Sequence, residues 1–254
     1  MRILILCPYM IDSHAQWAEG YKTYRQHEVE ILSLPGRHWK WRMHGASVTF
    51  ASLYQKLSYR PDVIIGTDMM DFTTFLSLTR KETSGIPTVL YFHENQLTYP
   101  WSPQDEDVST ARDRHYAWIN YVSSLAADQV WFNSHYHKEV FLHSLPDFLK
   151  AFPDFQQREG LDLLGRKTLV KPVVIDGKRL KQGAPPDFSF HKPPIILWNH
   201  RWEYDKGPEA FFEMLFHLKR EQIPFHLVVL GRAFGKVPLV FQEAEKELAE
   251  QILH

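Results

Sequence analysis

The sequence predicts an α/β fold built on a doubly wound, parallel sheet. Two patterns predict it. Short apolar runs of strand length alternate with segments of helical length, and Pro, Gly or polar turn residues punctuate the junctions. In addition, the chemically distinctive residues collect just after the apolar runs, where open α/β sheets bind ligands beside helix N-termini.

The elements follow in order. Arg2 to Cys7 reads as a buried first strand, and Ser13 can N-cap a helix reaching about Arg25. Val29 to Leu34 is a second strand, closed by Pro35-Gly36. Asp62 to Gly66 is a short buried strand, followed by a helical Asp71 to Lys81. Gly85-Ile86-Pro87 turns the chain into a strand over Thr88 to Phe92. A helix spans roughly Ala111 to Ala127, Gln129 to Phe132 is a strand, and Ser134 caps a helix toward Leu149. From Ala151 to Pro194 the rhythm breaks into Pro, Gly and charge, which reads mostly as linker. Ile195 opens another strand, a helix runs to about Arg220, Phe225 to Leu230 is a strand, and Pro238 to Ile252 is helical. The expected organisation is a Rossmann-like domain over 1–165, a linker over 166–193, and a second unit over 194–254. Two strands are too few for a finished Rossmann-like half.

Composition sets outer bounds. A net charge of −1 gives no whole-protein field toward nucleic acid or anionic membrane, and 44% hydrophobic residues suffice for a sizeable core. The single cysteine, Cys7, cannot form an internal disulfide and fits a reducing compartment. The apolar run before Pro8 is too short for a signal peptide, and no apolar segment approaches the roughly 18 residues that cross a bilayer. A soluble, cytoplasmic protein with no membrane partner is expected.

Four sequence features carry chemistry, each with a plainer structural reading beside it. The first is His200-Arg201-Trp202-Glu203-Tyr204-Asp205-Lys206-Gly207, at the junction of a strand and a helix that opens at Pro208. Arg201 and Lys206 suit a diphosphate, since Arg offers a bidentate fork and Lys a point charge. Gly207 allows close approach, and Gly231-Arg232 after the next strand adds backbone donors and another cation. Alternatively, Glu203 and Asp205 simply neutralise the cations at a solvated helix start.

The second is His93-Glu94-Asn95-Gln96, directly after the strand ending at Phe92. Four polar side chains there suit a ligand edge, with His93 as a base or sugar-hydroxyl partner and Glu94 orienting it. An Asx-turn at Asn95 is the structural alternative. A zinc-protease motif needs His where Leu97 stands, so that reading fails. The third comprises two loop positions after strands: Ser13-His14, a cap with an exposed His or an anion cradle, and Asn133-Ser134, where Ser134 caps and Asn133 faces the cleft.

The fourth is the span 31–60, which holds Arg37, Lys40, Arg42, Lys56 and Arg60 and no acidic residue, with Trp39 and Trp41 interleaved. Alternating cations and aromatics suit nucleic-acid backbone and bases, while an exposed basic loop with tucked indoles explains the same spacing. The basic stretch 165–182 either widens a positive cleft or is linker.

Together, Leu34-Pro35-Gly36-Arg37-His38-Trp39-Lys40-Trp41-Arg42, Tyr91-Phe92-His93-Glu94-Asn95-Gln96-Leu97-Thr98-Tyr99-Pro100, Phe132-Asn133-Ser134 and the block from His200 to Glu209 resemble the tRNA-queuosine α-mannosyltransferase family of GT-B glycosyltransferases. The resemblance covers essentially the whole chain. It implies a GT-B type fold, with one complete Rossmann-like domain and the beginning of a second. It also implies transfer of mannose from GDP-mannose to queuosine in the anticodon of tRNA-Asp, with retention of configuration. No prosthetic group and no metal are expected, because protein cations and helix N-termini stabilise the leaving diphosphate in such enzymes. By the resemblance, Arg201 and Lys206 bind the diphosphate, His93 touches the donor sugar, and Ser13-His14 lie near acceptor or phosphates. Family members continue past the position of His254 through an acidic motif that grips the donor. The resemblance therefore implies weak GDP-mannose binding and little or no transfer by these 254 residues alone. The competing readings are a GT-B transferase with another nucleotide sugar or acceptor, and a non-catalytic tRNA-binding module using the Arg37 to Arg42 segment.

Overall fold

The computed structural model describes residues 1–24, 26–102, 105–109, 114–173, 177, 193–233 and 237–253. The chain divides into two compact units, Met1–Trp101 with Asp105–Asp176, and a second centred on Gly177–His254.

The first unit is a six-stranded, all-parallel sheet: β1 (Arg2–Met10), β2 (Glu28–Pro35), β3 (Val63–Thr67), β4 (Thr88–Phe92), β5 (Gln129–Phe132) and β6 (Thr168–Val170), in spatial order β2-β1-β3-β4-β5-β6. The central strands β1, β3 and β4 are apolar and largely buried because a parallel sheet is covered on both faces, whereas the edge strand β2 carries Glu28, Glu30 and Ser33. Period two divides β1 between two cores. Ile3, Ile5 and Cys7 pack with Trp17 and Ala18, whereas Leu4 and Leu6 join Phe50, Phe72 and Phe75. The helices are α1 (Asp12–Tyr24), α2 (Trp39–Tyr54), α3 (Phe72–Leu78), α4 (Arg80–Thr83), α5 (Glu106–Ser109), α6 (Arg114–Ala126), α7 (His135–Lys150) and α8 (Glu159–Lys167).

The structure corrects several expectations. β1 runs three residues past Cys7, and a register shift between Cys7 and Met10 accommodates Pro8. α1 opens at Asp12, so the exposed Ser13 lies inside the first turn rather than capping it. The basic segment is a loop only as far as His38: α2, which was not among the expected elements, opens at Trp39 and buries Met43, Ala46, Phe50 and Tyr54 on one face. The stretch read as linker from residue 166 still belongs to the first unit. Thr168–Val170 pairs with β5, and α8 buries Leu164 while keeping Glu159 and Asp162 in its first turn and Arg166 and Lys167 in its last. Those charges suit the helix dipole, and they are what made the stretch look like solvated linker. Asp176, Lys178, Arg179 and Lys181 lie outside the described residues, as do Arg25 and 111–113.

The second unit pairs β7 (Ile195–Asn199) with β8 (His226–Leu230) in parallel, with α9 (Pro208–Arg220) and α10 (Leu239–Glu247). Its core is Trp198, Phe212, Leu215, Phe225, Leu227, Phe241, Ala244 and Leu248. The last helix is shorter than expected. The chain turns at Leu248, and the Leu227 N–H donates to the Gln251 carbonyl while the Leu253 N–H donates to that of Leu227. No described helix is long and apolar enough to cross a membrane.

Candidate active site at the carboxyl edge of the first sheet

The strand order reverses between β1 and β3, and at such a switch point the loops diverge and leave a crevice. β1 delivers His14 there through α1, β3 delivers Thr67 and Asp68, and β4 delivers His93. Asp68 is the residue that sequence reasoning missed. Its Oδ1 accepts from the His93 backbone N–H at 2.9 Å and lies 3.3 Å from His93 Nδ1, with side chains 1% and 6% exposed. Asp68, not Glu94, therefore orients the His93 ring; Glu94 accepts from Gln96 Nε2 at 3.3 Å. With Nδ1 donating to the carboxylate, Nε2 of His93 is left as an acceptor.

His14 stacks on His93, with centroids 4.0 Å apart and planes 21° from parallel, and is buried rather than exposed. Trp17 and Tyr91 meet the His93 ring edge to face, at 5.0 and 4.9 Å. Burial, reinforced by the His93 charge and partly opposed by Asp68 and Asp12, lowers the His14 pKa to about 4. Burial pushes the Asp68 pKa up, but the His93 hydrogen bond, the charges of His93 and His14 and the backbone N–H together hold it below its ordinary value. The centre thus combines a neutral His14 with an ionised Asp68.

Four buried polar atoms at this edge have no hydrogen-bond partner among the described residues: His14 Nδ1, Thr67 Oγ1, Asp68 Oδ2 and His93 Nε2. Buried polar groups are nearly always satisfied, and each unpaired one costs about 1–3 kcal/mol. Such a concentration points to a ligand. Two of the atoms, Asp68 Oδ2 and His93 Nε2, are acceptors matched to hydroxyl donors.

The neighbouring polar residues serve as framework. Asn95, 3% exposed, forms the Asx-turn: its Oδ1 accepts from the N–H groups of Leu97 and Thr98 at 3.1 and 2.9 Å. Its Nδ2 then donates to His137 Nε2 at 2.9 Å. Asn133 Nδ2 donates to the His93 carbonyl at 2.8 Å, which leaves its Oδ1 to accept from His137 Nδ1 at 3.0 Å. Ser134 caps α7 by accepting from the His137 N–H at 3.1 Å. Buried Gln96 donates its N–H to Asn120 Oδ1, while Asn120 Nδ2 donates to the Asp68 carbonyl. Asn95, Gln96 and Asn133 therefore fix the loop that carries His93, and Asn120 on α6 is a second positioning residue missed from sequence.

The segment with interleaved cations and indoles splits. Trp39 is half-buried against Trp101 and Tyr116, Lys40 pairs with Asp105 and Asp107 at 2.6 and 2.5 Å, and Arg42 donates to the Pro35 carbonyl. Arg37 and Trp41 are exposed.

In the second unit, Arg201 contacts Glu203 at 3.0 Å and Asp205 at 3.7 Å, and Lys206 contacts Asp205 at 2.8 Å. Both cations stay 42% and 32% exposed. Gly207 has φ +64 at the entry to α9, and nothing lies near a Cβ built there. Gly231 has φ +128, and a Cβ there would collide with the His200 carbonyl oxygen. The Trp202 N–H donates to the Arg232 carbonyl at 3.1 Å, so the loops after β7 and β8 converge. Arg232 is exposed.

A doubly wound parallel unit with its polar centre at the switch point, joined to a second, two-stranded parallel βαβ unit, is the architecture of a partial GT-B fold. At the fold level the chain is similar to Staphylococcus aureus MnaA in a UDP co-structure (TM-score 0.52, 14% identity, 99% of this chain and 68% of that one). It is likewise similar to Anabaena HepE in complex with UDP and glucose (TM-score 0.55, 14% identity, with the same coverages of 99% and 68%). The chain belongs to the tRNA-queuosine α-mannosyltransferase family, whose N-terminal model matches residues 2–175. A Drosophila melanogaster tRNA-queuosine alpha-mannosyltransferase is 27% identical over 259 residues, covering 99% of this chain and 67% of that protein.

Proposed function

We propose that the protein is a cytoplasmic, metal-independent retaining transferase that moves mannose from GDP-mannose to queuosine in the anticodon of tRNA-Asp. The observation that carries the reading is the set of buried, unpartnered atoms on His93, Asp68, Thr67 and His14, whose acceptors match sugar hydroxyls. In this reading His93, oriented by Asp68, contacts the donor sugar, with Glu94 beside it. Arg201 and Lys206 exchange their carboxylate partners for the diphosphate, and Gly207, Gly231 and Arg232 complete the donor-binding set. Ser13 and His14 lie toward the acceptor or phosphates, and Arg37, Trp39, Lys40, Trp41 and Arg42 form the tRNA-facing segment.

Thermal melting with nucleotide ligands tests the donor. GDP and GDP-mannose at millimolar concentration are expected to raise the melting temperature in proportion to affinity, and Arg201→Ala to abolish the rise. Stabilisation by UDP without stabilisation by GDP would overturn the proposal and favour a uridine nucleotide, as in the fold neighbours.

A further inference from the structure

Trp41 stands out on the exposed face of α2. It is 63% exposed, and among the described residues no aromatic ring or cation stacks on it. Its indole does not project freely. A Cβ built at Gly45 would meet Trp41 Cε2 at 2.5 Å, Cζ2 at 2.6 Å and Nε1 at 3.0 Å, so the ring lies against the helix over the glycine one turn later. Glycine inside a helix is unfavourable, and Ala in its place would ordinarily be more stable. Its presence under the only partly covered ring lets the indole lie down and turn a flat face to solvent.

The charge beside this ring is cationic where a helix ordinarily places acid. The first turn of α2 has no acidic residue and no side-chain cap on its N-terminal N–H groups. It instead carries Lys40 and Arg42 at the positive end of the helix dipole, an arrangement that an incoming anion relieves. Lys40 is matched by Asp105 and Asp107 and Arg42 donates to the Pro35 carbonyl, while exposed Arg37 lies four residues before Trp41 in the chain. A flat, pre-positioned indole at the cationic start of a helix, with Arg37 and Arg42 near it in the chain, fits an unpaired nucleobase and its phosphates better than an apolar partner.

We propose that Trp41, laid flat on Gly45, is a stacking platform for an unpaired base of the RNA acceptor. This rests on the tRNA reading above. The test is binding of unfractionated tRNA to the 254-residue chain at two salt concentrations, with Gly45→Ala and Trp41→Ala compared with wild type. Trp41→Ala is expected to weaken binding on the order of tenfold, within the range of one lost base–aromatic stack. Gly45→Ala, which displaces the ring without changing charge, is expected to weaken binding severalfold while leaving the melting temperature unchanged or higher. Short single-stranded RNA is expected to compete better than the same sequence as a duplex. Wild-type affinity in both variants would overturn the platform and leave the tRNA reading standing. Equal competition by duplex, or an effect of Trp41→Ala on self-association alone, would also overturn it. Absence of salt-dependent tRNA binding by wild type would overturn both.

Discussion

His14 and Asp68 are both buried at the end of the first sheet, and burial acts on them with opposite signs. For His14 it favours the neutral ring, lowering the pKa from 6.5 to about 4. Between those values the unfolded chain binds the extra proton. The His14 contribution to stability is therefore complete above 6.5 and is lost as pH falls toward 4, amounting to on the order of 3 kcal/mol. Urea unfolding from about pH 7.5 to about pH 4.5 is expected to show a smaller loss of stability in His14→Gln than in wild type. Equal losses would show that burial, with His93, does not hold His14 neutral against the pull of Asp68 and Asp12. His93 was legible in the sequence because it follows an apolar run directly. Asp68 was not: in Thr67-Asp68-Met69-Met70-Asp71 it looks like part of a helix start. Its role appears only when β3 and β4 lie side by side and bring residues 25 apart into contact. Asn120 was hidden similarly, as one polar side chain within the buried face of α6.

The loop after β4 is held by its own Asx-turn and, across the fold, by the elements around it. Ser134 capping α7 was readable because a cap acts on a residue three positions on. The bond from Asn133 to the His93 carbonyl spans 40 residues and has no local signal. Asn133→Ala would leave that carbonyl and His137 Nδ1 unsatisfied, with an expected loss of about 1–3 kcal/mol and faster amide exchange from His93 to Thr98. Ser134→Ala is expected to cost about 1 kcal/mol and to speed exchange in the first turn of α7 instead. Identical exchange patterns in the two variants would contradict a clamp specific to the His93 loop. α2 had no place among the expected elements, because its cationic, indole-rich start masked a helix whose buried face begins only at Met43.

Across the whole chain, the alternation of strands and helices made the parallel α/β class legible, and five of the eight described strands match their expected bounds within one residue. The extent of the first unit was not legible, because α8 hides one buried leucine among charges. In the second unit, β7 and β8 leave Ile195, Leu197 and Leu230 46%, 51% and 49% exposed. Parallel sheets are ordinarily covered on both faces, so this apolar surface favours association. Sedimentation velocity is expected to show concentration-dependent self-association that Leu197→Lys reduces; a wild-type monomer at every concentration would refute this. The central claim, that the His93 centre receives the sugar of a guanosine diphosphate donor, is tested most directly by histidine ring NMR. Titration with GDP-mannose is expected to move the His93 Nε2 and His14 signals, and GDP alone is expected to leave them in place. Equal shifts with both ligands, or none with either, would contradict the account.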